Sequence, residues 1–115
     1  MNSLAGDLRR FKSEFFHALA HPIRIEILEA LLQGERSVQE LQEILGAEQP
    51  VVSQHLAILR AKNIVAGRKE GTSVRYFVRD PLLGDLLGVA RKIFNNDLVG
   101  TQGLLRELKR QTRRG

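Results

Sequence analysis

Apolar residues recur at Leu4, Leu8, Phe11, Phe15 and Leu19 in steps of three and four, which predicts an amphipathic helix ending near His21-Pro22. Pro22 suits the first turn of a second helix, where its missing N–H is not needed. Ile23, Ile27, Leu28 and Leu31 supply the buried side of that helix until Gly34 stops it. Ser37-Val38-Gln39-Glu40 has capping-box spacing: the serine oxygen accepts from the N3 amide while the glutamate reaches back. A short third helix therefore starts there, with Val38, Leu41, Ile44 and Leu45 inward and Gly46 at its C-terminal end. Pro50 opens a fourth helix only a few residues later, with Val52, Leu56 and Leu59 inward and Lys62-Asn63 as its close. Two short helices joined by so tight a turn, over about residues 37–62, make a helix-turn-helix pattern.

Beyond it, Ile64 to Lys69 and Val74 to Arg79 read as two strands around Glu70-Gly71-Thr72-Ser73, a hairpin over about residues 64–79. Val74, Tyr76 and Val78 share an apolar face of the second strand, and Arg75, Phe77 and Arg79 share the other. Asp80-Pro81 breaks the strand. Leu83, Leu86, Leu87, Ala90 and Phe94 then keep helical spacing up to Asn95-Asn96, a fifth helix over about residues 82–95. Gly100 and Gly103 interrupt the pattern before Leu104, Leu105 and Leu108, which indicate a last short helix and a frayed Arg113-Arg114-Gly115 end. No internal repeat or low-complexity stretch occurs.

Length and composition narrow the field. A chain of 115 residues is one ordinary domain, able to bury roughly two-thirds of its unfolded surface. Its 43% hydrophobic and 27% charged residues are a globular balance rather than that of a disordered tail. With no cysteine, a disulfide framework, a thiolate metal site and a cysteine nucleophile are excluded. There is no apolar run of about 18 residues, and Met1 to Arg10 lacks the form of a signal peptide. The expectation is a cytoplasmic protein with no membrane partner. The net charge of +5 points to a polyanion, and its distribution is more informative. Pro22 to Glu48 carries six acids against Arg24 and Arg36, whereas Arg60 to Arg79 carries six bases against Glu70.

This order of elements resembles the winged-helix repressors of the ArsR/SmtB family. Phe16-His17-Ala18-Leu19-Ala20-His21-Pro22-Ile23-Arg24-Ile25 is similar to that family's opening signature. Gln49-Pro50-Val51-Val52-Ser53-Gln54-His55-Leu56 through Leu59-Arg60 is similar to its recognition helix, and Lys69-Glu70-Gly71 through Tyr76 to its wing. The likeness covers about residues 14–79 and combines three motifs in the right order. It implies a mainly α fold with a small β-hairpin: one winged helix-turn-helix domain over residues 1–115. It further implies a homodimer that binds double-stranded DNA at an inverted-repeat operator and releases it when an inducer binds.

A recognition helix presents base-reading groups at its N-terminal end, because the major groove displays a distinct pattern for each base pair. Gln49 and Gln54 can pair bidentately with adenine, Ser53 can donate or accept, and Val51 can meet a thymine methyl; Pro50 stands among them. The plainer roles are a helix cap for Gln49 and a solvated position for Ser53. His55 lies at the border of the core, which fits a packed, phosphate-facing histidine better than a base reader. Arg60, at the end of the helix, is a further candidate DNA contact. Around the hairpin tip, Arg68, Lys69, Thr72, Ser73 and Arg75 can lie against phosphates or reach the minor groove, or they serve only as a charged guard on an edge strand. Arg79 and the C-terminal bases read as solvation.

Metal-sensing members of the family carry cysteines at positions matching Ser37 and Gln39, and others use aspartate and histidine on the last helix. Here Pro81 to Asn96 holds Asp85 and no histidine. Glu14, His17 and His21 are the remaining candidate trio, more simply a helix surface and an end cap. No metal or cofactor is therefore expected, and the inducer is left open between an organic ligand, a protein partner and none. Leu4, Leu8, Phe11 and Phe15, with Leu83, Leu86, Leu87, Ala90 and Phe94, exceed what a compact three-helix core and hairpin can cover. They are the expected dimer interface. No Gly-rich phosphate loop or nucleophile–base pair supports catalysis. The competing reading is a winged-helix protein-interaction module without specific DNA binding.

Overall fold

Helix α1 (Leu4–Leu19), α2 (Pro22–Gln33), α3 (Val38–Leu45), α4 (Gln49–Ala61), strands β1 (Val65–Glu70) and β2 (Ser73–Val78), and helix α5 (Leu82–Arg114) follow one another along the chain. The computed structural model describes the backbone of residues 4–114 and the side chains of residues 4–95 and 105–111. The chain divides after Pro81 into two compact units, the second consisting of α5.

In the first unit, Ile27, Leu28 and Leu31 of α2 are buried together with Leu41 of α3 and Val52, Leu56 and Leu59 of α4. Each such side chain, fully buried, contributes about 1.5–3 kcal/mol. Ala18 and Leu19 at the end of α1, Ile64, Val65 and Tyr76 complete the core. The α2 row is as the spacing predicts except that Ile23 is only half-buried while Ala30 joins it. On α3, Leu41 alone is fully buried and Ile44 is exposed, contrary to the expected inward row. An eight-residue helix has one narrow contact arc. Val38 and Leu45 flank Leu41 on one side, whereas Ile44 lies about 100° from Leu45.

The joints are set by local chemistry. His21 caps α2, its Nδ1 accepting from the Ile23 amide at 3.1 Å. The capping box forms, Ser37 Oγ accepting from the Glu40 amide at 3.1 Å and Glu40 Oε1 from the Ser37 amide at 3.0 Å. Gly46 has φ +65°, a left-handed conformation strained for any other side chain. The amides of Gly46 and Ala47 both donate to the Gln42 carbonyl, at 2.8 and 3.2 Å, which tightens the turn into α4.

The hairpin is longer than expected by a residue at the tip. Glu70 pairs with Ser73, so the connection is Gly71-Thr72 alone rather than four residues. Tyr76 is the buried member of β2; Val74 and Val78 are only half-buried. A Cβ on Gly67 would meet Val74 Cγ1 at 2.8 Å and Tyr76 Cε1 at 3.0 Å, so glycine is what lets the tyrosine ring lie across β1. Outside the two strands, Arg36 bridges to Tyr76: its amide donates to the Tyr76 carbonyl at 3.1 Å, and the Tyr76 amide donates to its carbonyl at 2.8 Å. That bridge ties the hairpin to the α2–α3 link.

Helix α5 is one helix of 33 residues, roughly 50 Å long. The break expected at Asn95-Asn96 does not occur, nor is there a separate last helix. Asparagine and glycine raise the cost of a helix by up to about 1 kcal/mol each but do not block its hydrogen bonds as proline does, and no proline follows Pro81.

Candidate nucleic-acid interface

The N-terminal end of α4 is presented by the apolar row beneath it. Val52, Leu56 and Leu59 are buried, and this phase leaves Gln49, Pro50 and Gln54 exposed and Val51 and Ser53 half-buried. Glu48, not Gln49, is the N-cap, and its side chain makes no capping bond. Gln49 instead donates from Nε2 to Ser53 Oγ at 2.9 Å, so two of the candidate base readers are tied to each other across one exposed turn. Both remain at the surface with further donors and acceptors available.

His55 is placed differently. It is buried, its ring 4.2 Å from that of His21, and Arg24 Nη1 donates to its Nδ1 at 3.4 Å. Burial lowers its pKa from the ordinary 6.5, and the nearby His21 and Arg24 act in the same direction. His55 thus joins α4 to the start of α2. Arg60 is exposed, its guanidinium 5.6 Å from the centroid of the Tyr76 ring.

On the hairpin, Lys69, Thr72 and Ser73 are exposed at the tip, Ser73 Oγ donating to the Glu70 carbonyl at 3.3 Å. Arg68 and Arg75 are already engaged. Arg68 donates through Nη1 and Nη2 to the two carboxylate oxygens of Glu35 at 3.0 and 2.6 Å, and lies 3.7 Å from Glu70. Arg75 donates to Glu40 Oε1 at 2.7 Å and to the Glu35 carbonyl at 2.8 Å. Hydrogen bonding from the Ser37 amide, with the charge of Arg75 adding to it, holds the Glu40 carboxyl below its ordinary 4.5. The sequence reading missed Glu35 and Glu40 as partners, since these bonds join residues 33 to 40 positions apart. The only trace in the sequence is the complementary charge of the two segments.

Two of the candidate metal trio are engaged in other contacts, and His17 is exposed. Glu14 pairs with Lys62 at 3.0 Å and His21 caps α2; among the described residues no group of three or more histidine, cysteine or acidic side chains has metal-holding geometry. Ser37 and Gln39, the positions of the family's sensing cysteines, line an open cleft of about 330 Å³ with Val38 and residues 73–76. Of the expected interface residues, Leu4, Leu8, Phe11 and Phe94 are exposed, Phe15, Leu86, Leu87 and Ala90 are half-buried, and Leu83 is buried. Phe16, Leu82, Val89 and Ile93 are exposed too, which the spacing argument did not single out. Among the described residues no helix is long and apolar enough to cross a membrane.

Comparison with known proteins agrees with this architecture. Residues 21–66 match the family described as bacterial regulatory protein, arsR family. An HTH-type transcriptional regulator of Mycobacterium tuberculosis, Rv0081, is 41% identical over 103 residues, covering 89% of this chain and 90% of its own. Its crystal structure superposes with a TM-score of 0.74 at 42% identity over 81% of this chain and 94% of that one. A homodimeric winged helix-turn-helix DNA-binding domain from Mycobacterium bovis, solved by NMR, has a TM-score of 0.77 at 26% identity over 85% of this chain and 91% of that one. A probable mercury resistance operon repressor of Streptomyces lividans is 43% identical over 79 residues, 69% of this chain and 63% of the repressor. With its helix-turn-helix, hairpin wing and these relatives, the chain belongs to the arsR family of bacterial regulatory proteins and is a winged helix-turn-helix DNA-binding transcriptional regulator.

Proposed function

We propose that the chain is a homodimeric repressor that reads an inverted-repeat operator with the head of α4 and grips the flanking phosphates with its hairpin. The observation that carries this reading is the turn with Gln49, Pro50 and Gln54 exposed and Ser53 half-buried beside them, held in fixed phase by a buried row. Bidentate amides at that position discriminate adenine. Lys69, Thr72, Ser73, Arg68 and Arg75 supply sequence-independent contacts, with Arg60 beside them. His55 acts by holding α4 against His21 and Arg24 rather than by touching bases.

Dimerisation uses the apolar surface of α1, Leu4, Leu8, Phe11 and Phe15, and that of α5, Leu86, Leu87, Ala90 and Phe94. An exposure of 74% at Phe11 and 62% at Phe94 is more than isolated surface residues need. The solved M. bovis relative is itself homodimeric. Two-fold pairing sets two recognition helices roughly 34 Å apart, one turn of DNA, whereas one domain alone touches too few bases for a useful specificity ratio.

The test is selection of bound fragments from a genomic library, followed by sedimentation at micromolar concentration. The expected result is recovery of inverted repeats by a protein of dimer mass. The double substitution Phe15→Glu and Leu87→Glu should give monomers with poor operator affinity. A wild-type monomer that binds one half-site tightly would overturn the dimer. Recovery of no preferred sequence would overturn the repressor reading in favour of a protein-interaction role.

A further inference from the structure

We infer that Glu35 is an intramolecular stand-in for a DNA phosphate, holding the Arg68 guanidinium of the hairpin in a latch that DNA must displace. This rests on the proposed role of the hairpin in gripping DNA. A carboxylate and a phosphate present the same pair of oxygens to a guanidinium fork, and Glu35 uses both of its oxygens, at 3.0 and 2.6 Å. The pair lies at the surface, the Arg68 side chain 55% and the Glu35 side chain 36% exposed, so it can exchange partners without opening the core. Exposed ion pairs add little to stability. What this one changes is how much of the hairpin's charge is on offer.

The second pair is of another kind. Arg75 also donates to the Glu35 main-chain carbonyl at 2.8 Å and its side chain is 31% exposed, so it is the more firmly anchored of the two. Of the two arginines, Arg68 is therefore the more readily exchanged. The consequence is a lower affinity for every duplex. Arg68 must leave Glu35 whether the DNA is an operator or a random sequence, and at equilibrium that cost is the same for both. Glu35 thereby weakens binding without changing the ratio of specific to non-specific affinity.

The experiment measures dimeric wild type, Glu35→Gln, Arg68→Ala and the double variant on a mixed-sequence duplex of about 30 base pairs and on a selected operator fragment. Glu35→Gln keeps the shape and removes the charge. It should bind the mixed duplex about fivefold tighter, the upper range of one exposed ion pair, with a similar gain on the operator and an unchanged melting temperature. The double variant should show no gain over Arg68→Ala. An unchanged or weakened Glu35→Gln, or a gain that survives in the double variant, would overturn the latch. If Arg68→Ala still weakens binding in that case, the DNA role of the hairpin stands without it. If wild type binds neither duplex, both readings fall.

Discussion

The head of α4 and the hairpin sit about twenty residues apart in sequence, and opposite forces hold them. At α4, three buried aliphatic side chains set the phase, and the exposed polar groups bond only locally, Gln49 to Ser53 at 2.9 Å. In the hairpin, Val65 at its base and Tyr76 are buried, and two arginines further out are tied to Glu35 and Glu40 across the surface. Apolar packing is rigid and is not screened by salt. Surface ion pairs are weak, screened and exchangeable. The first arrangement suits groups that must be presented in one geometry to read bases, and the second suits groups that must trade one anion for another.

The largest effect that separates the two should come from the core. Leu41→Ala, at a fully buried position in α3, should cost about 3 kcal/mol in urea unfolding and lower specific and non-specific affinity together. Arg68→Ala should leave the unfolding midpoint nearly unchanged. Equal destabilisation by both would erase the contrast.

Next in size are the binding variants. Gln54→Ala should lose about 1–3 kcal/mol of discrimination between the operator and a base-substituted operator, while the salt dependence stays as in wild type. Lys69→Ala, exposed and in no ion pair among the described residues, should weaken binding to every sequence and reduce the salt slope by about one. The opposite pattern, with Lys69 governing discrimination, would exchange the two roles.

The smallest effects are in pH. His55 has a pKa lowered in the fold from 6.5, so the unfolded chain binds the extra proton first. Stability contributed by neutral His55 is therefore full above pH 6.5 and declines as the pH falls below it towards the folded value. Glu40, lowered from 4.5 by the Ser37 amide, has the same sign in a more acidic window: its contribution is full above 4.5 and is lost as the pH falls through the folded value. Unfolding curves should thus show mild-acid loss that His55→Gln removes, and a later loss that Glu40→Gln removes. A His55→Gln profile identical to wild type between pH 5 and 7 would deny the buried pairing with His21 and Arg24.

Much of this molecule was legible in short stretches of chain. The turn between α3 and α4 needed only Ser37, Glu40, Gly46 and Pro50 in order, because capping and left-handed conformations are decided within four residues. Inward rows were readable where a helix is long enough to have a clear buried side, as in α2 and α4, and less so in α3, where Ile44 turned out exposed. The extent of α5 is not legible, because Asn95, Asn96, Gly100 and Gly103 weaken a helix without ending it.

By itself the sequence determined the helical periods, the caps, the concentration of positive charge in residues 60–79 and, through its lack of cysteine, the exclusion of a thiolate sensor. Only the tertiary structure decided which charges meet. It brought Glu35 and Glu40 to Arg68 and Arg75 and His21 to His55, so that cations expected to be waiting for DNA are already paired. The reason is range: periodicity and capping act between residues a turn apart, whereas an ion pair forms wherever the packed core brings two side chains within a few ångströms, and its partner has no local signature.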